Sequence, residues 1–132
     1  MKSVEVRFNH VAVHNRSRKE AELFYGRILG LDLVYTFTVP ADLAQGIFGI
    51  PQDLDVFVFG KGDFRIEVFT ADAEIPVATA INHICFEIRD RDSFLERCQK
   101  EGLDINRIQR EQGITVFIKD FNGNLFEIKE RQ

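Results

Sequence analysis

Asn9-His10-Val11-Ala12-Val13-His14 returns later in the chain as Asn82-His83-Ile84-Cys85-Phe86-Glu87, and the rest of the sequence is organised around that echo. Gly30-Leu31-Asp32-Leu33 is followed in the same way by Gly102-Leu103-Asp104-Ile105, and Phe64-Arg65-Ile66-Glu67-Val68 by Asn124-Leu125-Phe126-Glu127-Ile128. A repeat of this length is one supersecondary unit used twice, because neither copy can bury a sheet face alone. The histidines His10 and His83 are 73 residues apart and the glutamates Glu67 and Glu127 are 60 apart, so the copies differ by 13 residues. The surplus lies in 37–55, where the second copy has only the connection Gln109 to Gly113.

Periodicity sets the elements inside a copy. Phe8 to Val13 and Ile81 to Ile88 alternate around β-branched and aromatic residues, which predicts strands. Ser17 to Leu29 spaces Ala21, Leu23, Phe24, Ile28 and Leu29 as a helix does, and Gly30 stops it. Asp92 to Glu101, followed by Gly102, repeats that pattern. Strands at Leu33–Phe37, Val56–Phe59 and Phe64–Phe69 complete the first copy, with a turn at Lys61-Gly62-Asp63. Strands at Ile105–Ile108, Ile114–Ile118 and Leu125–Lys129 complete the second, with Asn122-Gly123 as the last turn. The predicted fold class is α+β: two βαβββ modules, about 5–70 and 81–130, joined by a linker at 71–80 within one 132-residue domain.

Composition bounds the partners. A chain of this size buries roughly two thirds of its unfolded surface, so neither metal nor disulfide is needed to hold it. Cys85 and Cys98 lack framework spacing and read as small buried thiols in a reducing compartment. No leader-like segment opens the sequence, and no apolar run approaches the roughly 20 residues of a helical membrane span. The expectation is a cytoplasmic protein. A formal charge of -4, with Lys and Arg scattered, leaves no basic field for nucleic acid. Phe is unusually frequent, 13 residues against 2 Tyr and no Trp, and most of these rings belong to the core.

Strand parity groups the repeated polar residues. Side chains alternate faces, so His10, Ala12 and His14 share one face and Val11 and Val13 the other. His83 parts from Ile84, Glu67 from Ile66 and Val68, and Glu127 from Phe126 and Ile128 in the same way. All four therefore project from the sheet face turned away from the helices. Taken singly, a strand histidine is more often a hydrogen-bonded residue and a strand glutamate a solvated one. Recurrence at equivalent places makes His10, Glu67, His83 and Glu127 a candidate ligand set for one divalent metal ion. Two imidazoles and two carboxylates without thiolate suit Zn, Ni, Co, Mn or Fe(II) and leave exchangeable positions for a substrate. His14 and Glu87, which mirror each other in the repeat, read as solvated or pocket-edge residues.

These residues carry a family likeness. Asn9-His10-Val11-Ala12-Val13, Glu22-Leu23-Phe24-Tyr25 running into Ile28-Leu29-Gly30-Leu31, Arg65-Ile66-Glu67-Val68, Asn82-His83-Ile84-Cys85-Phe86, and Lys119-Asp120-Phe121-Asn122-Gly123-Asn124-Leu125-Phe126-Glu127-Ile128 together resemble the vicinal oxygen chelate superfamily of glyoxalases, bleomycin-resistance proteins and extradiol dioxygenases. The last stretch departs from the family pattern at Phe121, where proline is usual. The resemblance implies a partly closed mixed sheet lining a cleft, helices on the outer face, a metal at the centre, a small-molecule substrate and a homodimer. The two modules of one site may then belong to one chain or to both. Filled ligand positions at all four places are most similar to glyoxalase I and methylmalonyl-CoA epimerase.

By that resemblance the expected activity is that of a lyase or isomerase moving a proton beside a metal-bound carbonyl or enediolate oxygen. Glu127 is then the first choice of base and Glu67 the second, with His10 and His83 as ligands. Three-ligand dioxygenase or resistance-transferase chemistry is the alternative, as is a metal-free ligand-binding protein. Arg16, Arg18, Arg65 and Arg107 are candidate anion contacts, with solvated arginine the simpler reading of each. The 37–55 insert is either a long surface connection or a lid over an apolar substrate.

Overall fold

The computed structural model describes residue 5 and residues 8–72 and 82–132, and divides the chain into two compact units, Met1–Asp72 and Ala73–Gln132. The first runs β1 (Val11–Asn15), α1 (Arg18–Ala21) continued by a π-helical stretch (Glu22–Ile28), β2 (Asp32–Val39), α2 (Ala41–Phe48), β3 (Leu54–Lys61) and β4 (Phe64–Thr70). The second runs β5 (His83–Ile88), α3 (Arg91–Lys100), β6 (Ile105–Arg110), β7 (Gly113–Lys119) and β8 (Leu125–Glu130). Each unit holds a four-stranded mixed sheet, ordered β1-β4-β3-β2 in one and β5-β8-β7-β6 in the other. The first and last strands pair parallel in both, and the remaining pairs are antiparallel. The α+β class and the doubled βαβββ order are those read from the repeat, with one helix added.

Each sheet buries one face on its helix. In the first unit Ala21, Phe24, Tyr25 and Ile28 are fully buried, and the Tyr25 ring lies 5.8 Å from that of Phe59. Each such large side chain contributes about 1.5–3 kcal/mol by leaving water. Phe57 and Phe59 therefore face the helix, opposite Val68 and Ile66 of β4. In the second unit Phe94, Leu95 and Cys98 of α3 are buried, as are Ile118, Phe126 and Ile128 of the sheet. No helix among the described residues is long and apolar enough to cross a membrane.

Four local expectations are corrected. The first strand begins at Val11, where pairing with Ile66 starts, so His10 stands one residue before it and Phe8 is exposed. The Ser17–Leu29 helix begins as read, with Ser17 accepting from the Glu20 N–H at 3.2 Å. After Ala21 it widens into π geometry, closed by the Leu29 N–H on the Phe24 carbonyl. The wider turn narrows the angle between neighbouring side chains, which lets adjacent Phe24 and Tyr25 both reach the core. The 37–55 insert is not a bare loop: β2 continues to Val39 and α2 fills the middle. Asp53 accepts from the Ala41 N–H at 2.8 Å to cap α2, and Gly49, at φ 73°, supplies its left-handed exit. Cys98 is buried as expected but Cys85 is exposed, because β5 turns it to the face opposite the core. Of the expected linker, Ala71 donates to the Asn15 carbonyl, while 73–80 lie outside the described residues, as does Ile81 of the fifth strand.

Candidate functional site

The repeated polar residues form two pairs, one in each unit. Glu67 lies between Ile66 and Val68, which are buried, and so turns to the opposite face, where the Cα register sets Ala12 and Val58 beside it. His10 Nε2 is 3.3 Å from Glu67 Oε1. In the second unit Glu127 stands beside Cys85 and Phe117 on the face away from Phe126 and Ile128. His83 Nε2 is 3.9 Å from Glu127 Oε1, and its ring meets Phe117 edge-on at 5.5 Å. Within each unit the cluster stops at two: among the described residues there is no group of three or more His, Cys, Asp or Glu placed to hold a metal ion.

The chemistry of the first pair is set by a neighbour that the sequence shows only as a doubled Asn-His dipeptide. His10 Nδ1 and Asn9 Oδ1 are 2.7 Å apart, so the ring donates there and, when neutral, keeps its proton on Nδ1. The Nε2 lone pair then faces a carboxylate oxygen. At 3.3 Å the two atoms stand as a His–carboxylate pair does, or as two ligands of one ion do. Two donors bound to one ion at about 2.0–2.2 Å stand roughly 3.0–3.4 Å apart, so this pair has the separation of two ligands and the second pair is slightly wider. An outer hydrogen bond on the far ring nitrogen is also how ligating histidines are oriented. Within each unit the pair thus offers one nitrogen and one oxygen donor of the kind a divalent ion takes.

Most of the remaining candidates are engaged elsewhere, and two are exposed. His14 Nε2 meets the Ala71 carbonyl at 3.0 Å, while Glu87 is exposed. Arg16 lies 4.0 Å from Glu20, and Arg18 donates to Glu22 at 2.6 Å while its guanidinium sits 5.0 Å from the Phe57 ring centroid. Arg65 donates to the Gly62 and Phe64 carbonyls and braces its own hairpin. Arg107 is exposed on β6. Cys85 shares the Glu127 face, and partial burial together with the carboxylates of Glu127 and Glu87 raises its thiol above the ordinary value, against the opposing pull of Lys129. An open cleft of about 500 Å³ lies in the second unit, lined among others by Leu103, Asn106, Phe117, Lys119, Phe121 and Leu125; its link to the second pair is Phe117.

In each unit of this doubled βαβββ fold the His–Glu pair lies on the sheet face opposite the one buried against α1 and its π-helical continuation, or against α3. A sequence profile of the glyoxalase/bleomycin resistance protein/dioxygenase superfamily matches residues 9–118, and the chain belongs to that superfamily. No curated protein matches it in sequence. Among solved structures, a glyoxalase family protein from Bacillus cereus superposes with TM-score 0.76 at 22% identity, covering 98% of this chain and 96% of that one. The fosfomycin resistance protein FosX from Listeria monocytogenes gives 0.74 at 18% identity over 98% and 96%. A crystal structure of a mutant of that protein is a complex with Mn(II) and 1S,2S-dihydroxypropylphosphonic acid. The trypanothione-dependent glyoxalase I of Leishmania major gives 0.72 at 17% over 96% and 87%.

Proposed function

We propose that the protein is a divalent-metal-dependent lyase or isomerase of the glyoxalase type, acting on a small carbonyl or thioester substrate. The observation that carries this is the pairing of His10 Nε2 with Glu67 Oε1 at 3.3 Å, with Asn9 on the far ring nitrogen, echoed by His83 and Glu127. His10, Glu67, His83 and Glu127 are the proposed ligands, contributed by two modules of one chain or of a homodimer. When bound, the ion supplies Lewis-acid stabilisation of negative charge developing on a substrate oxygen. Glu127 is the proposed base that removes the neighbouring C–H proton and returns it, and Glu67 is the alternative. Asn9 holds the His10 ring in its ligating tautomer. Phe117, packed against His83, fixes that ring and keeps water from one side of it.

Glu67 separates this reading from three-ligand dioxygenase or transferase chemistry. The test is metal analysis after stripping and incubation with Ni, Co, Zn or Mn, for the native protein and Glu67→Gln. One ion per site in the native protein and at least tenfold weaker retention in the variant are expected. Equal retention removes Glu67 from the ligand set and moves the three-ligand chemistries ahead. No stoichiometric ion in the native protein overturns the enzymatic reading in favour of metal-free ligand binding. Deuterium uptake from solvent at the carbon beside the carbonyl of a 2-hydroxy thioester then tests proton transfer, and it is expected to fall at least a hundredfold in Glu127→Gln.

A further inference from the structure

The two sheets differ in what surrounds their His–Glu pairs, and the difference lies in the first unit. A register shift between Leu33 and Tyr35 moves Tyr35 opposite Val58 and Phe37 opposite Val56. Val58 and Val56 are the partners of Glu67 and Phe69 on the other side. Tyr35, Phe37 and Phe69 therefore share the face of Glu67, and without the bulge at Val34 the first two would share the face of Leu33 instead. Their rings are organised: Tyr35 and Phe37 stack at 6.0 Å, and Phe48 of α2 meets Phe69 edge-on at 5.3 Å. Tyr35 and Phe48 nevertheless remain 51% and 47% exposed, and Leu43 and Ile47 of α2 are exposed beside them. The corresponding face of the second sheet carries Asn106, Ile108, Thr115, Phe117 and Lys119, with a single aromatic ring among them. There the strands β6 and β7 join through a turn with no helix.

We propose that Tyr35, Phe37, Phe48 and Phe69 form an aromatic shelf that binds the aryl or branched-alkyl substituent of the substrate, with α2 as its wall. This rests on the metal-site reading, and it names the substrate class of that site: a carbonyl or hydroxy-acid derivative with a bulky apolar group rather than a methyl. The occupant is the substrate's own substituent because the shelf is continuous with the proposed ligand: Phe69 is two residues from Glu67 on β4, Tyr35 stands across from Val58, the Glu67 partner, and α2 is capped at both ends. The Asp53 carboxylate caps Ala41, and Gly49 and Ile50 donate back to Gln45 and Ala44. A wall fixed in this way keeps its aromatic surface available without the ordering cost of a loose loop.

The test uses metal-free, isotope-labelled protein, so that it does not depend on the ion. 3-Phenylpropionate and propionate are titrated in turn while backbone amide shifts are followed. 3-Phenylpropionate is expected to bind at least about tenfold tighter, with saturable shifts at Tyr35, Phe37, Phe48 and Phe69. Tyr35→Ser and Phe48→Ala should each weaken it at least fivefold, while Ile114→Ser, an exposed apolar position of the second unit on the face away from Glu127, should not change it. Equal affinity for the two acids, shifts mapping elsewhere, or unchanged affinity in both variants overturns the shelf. So does a loss of dimer in either variant without loss of binding, which assigns the face to a second copy. The shift map on the native protein decides the matter even if a variant fails to fold. Shelf binding in a protein that retains no metal would leave the shelf standing and sink the metal reading.

Discussion

Asp120 is only 5% exposed, and its carboxylate organises the turn that launches β8 and Glu127. Oδ1 accepts the Asn122 and Asn124 N–H groups at 2.9 Å each, and Oδ2 accepts the Asn124 side-chain amide at 2.8 Å. Phe121, the departure from the family pattern, lies inside this turn and leaves those bonds intact. Asp120→Ala is expected to cost about 2–4 kcal/mol in urea unfolding, since it orphans three donors, whereas Asp120→Asn keeps an acceptor and should cost less. Burial pushes the Cys98 thiol up to about 11, from an ordinary 9.0. The folded state therefore holds that proton more tightly than the unfolded one, and its contribution is complete below pH 9 and lost as pH rises toward 11. Urea midpoints measured across that alkaline interval should fall, and fall less steeply in Cys98→Ala.

At the scale of elements, two devices shape the first unit. One is the Arg65 brace. A Cβ on Gly60 would stand 2.5 Å from the Phe64 carbonyl oxygen and 2.7 Å from Arg65 Nη1, so the β3–β4 hairpin closes over a position that admits only hydrogen. Gly60→Ala is expected to destabilise by about 1–3 kcal/mol, read as a lower thermal midpoint, and to displace the strand that carries Glu67. The other is the cap on α2. Removing the Asp53 carboxylate with Asp53→Ala frees the Ala41 N–H and should loosen the helix by about 0.5–2 kcal/mol. Amide exchange over 41–48 is then expected to quicken several-fold while exchange in β3 and β4 stays unchanged. Uniform acceleration across the unit would mean that α2 is part of the core rather than a wall upon it.

For the whole molecule, the proposed ligand set, drawn from two modules of one chain or of a homodimer, ties metal binding to folding. Divalent metal at a hundred times its Kd should stabilise the protein by about 2.7 kcal/mol, and His10→Ala and His83→Ala should each abolish that gain in both units. Protection confined to the unit that keeps its histidine would refute a shared site. The sequence alone determined the doubled strand order and the two His–Glu pairs. Repetition and the period-two alternation of Ile66, Glu67 and Val68 are local signals that survive without a partner strand. The Asn9-His10 bond was also within reach, since its dipeptide recurs as Asn82-His83. Only the tertiary structure decided that Cys85 is exposed, that the insert is a helix, and that Tyr35 and Phe37 join the Glu67 face. The last depends on a register shift against β3, and register is a property of paired strands that no single strand encodes.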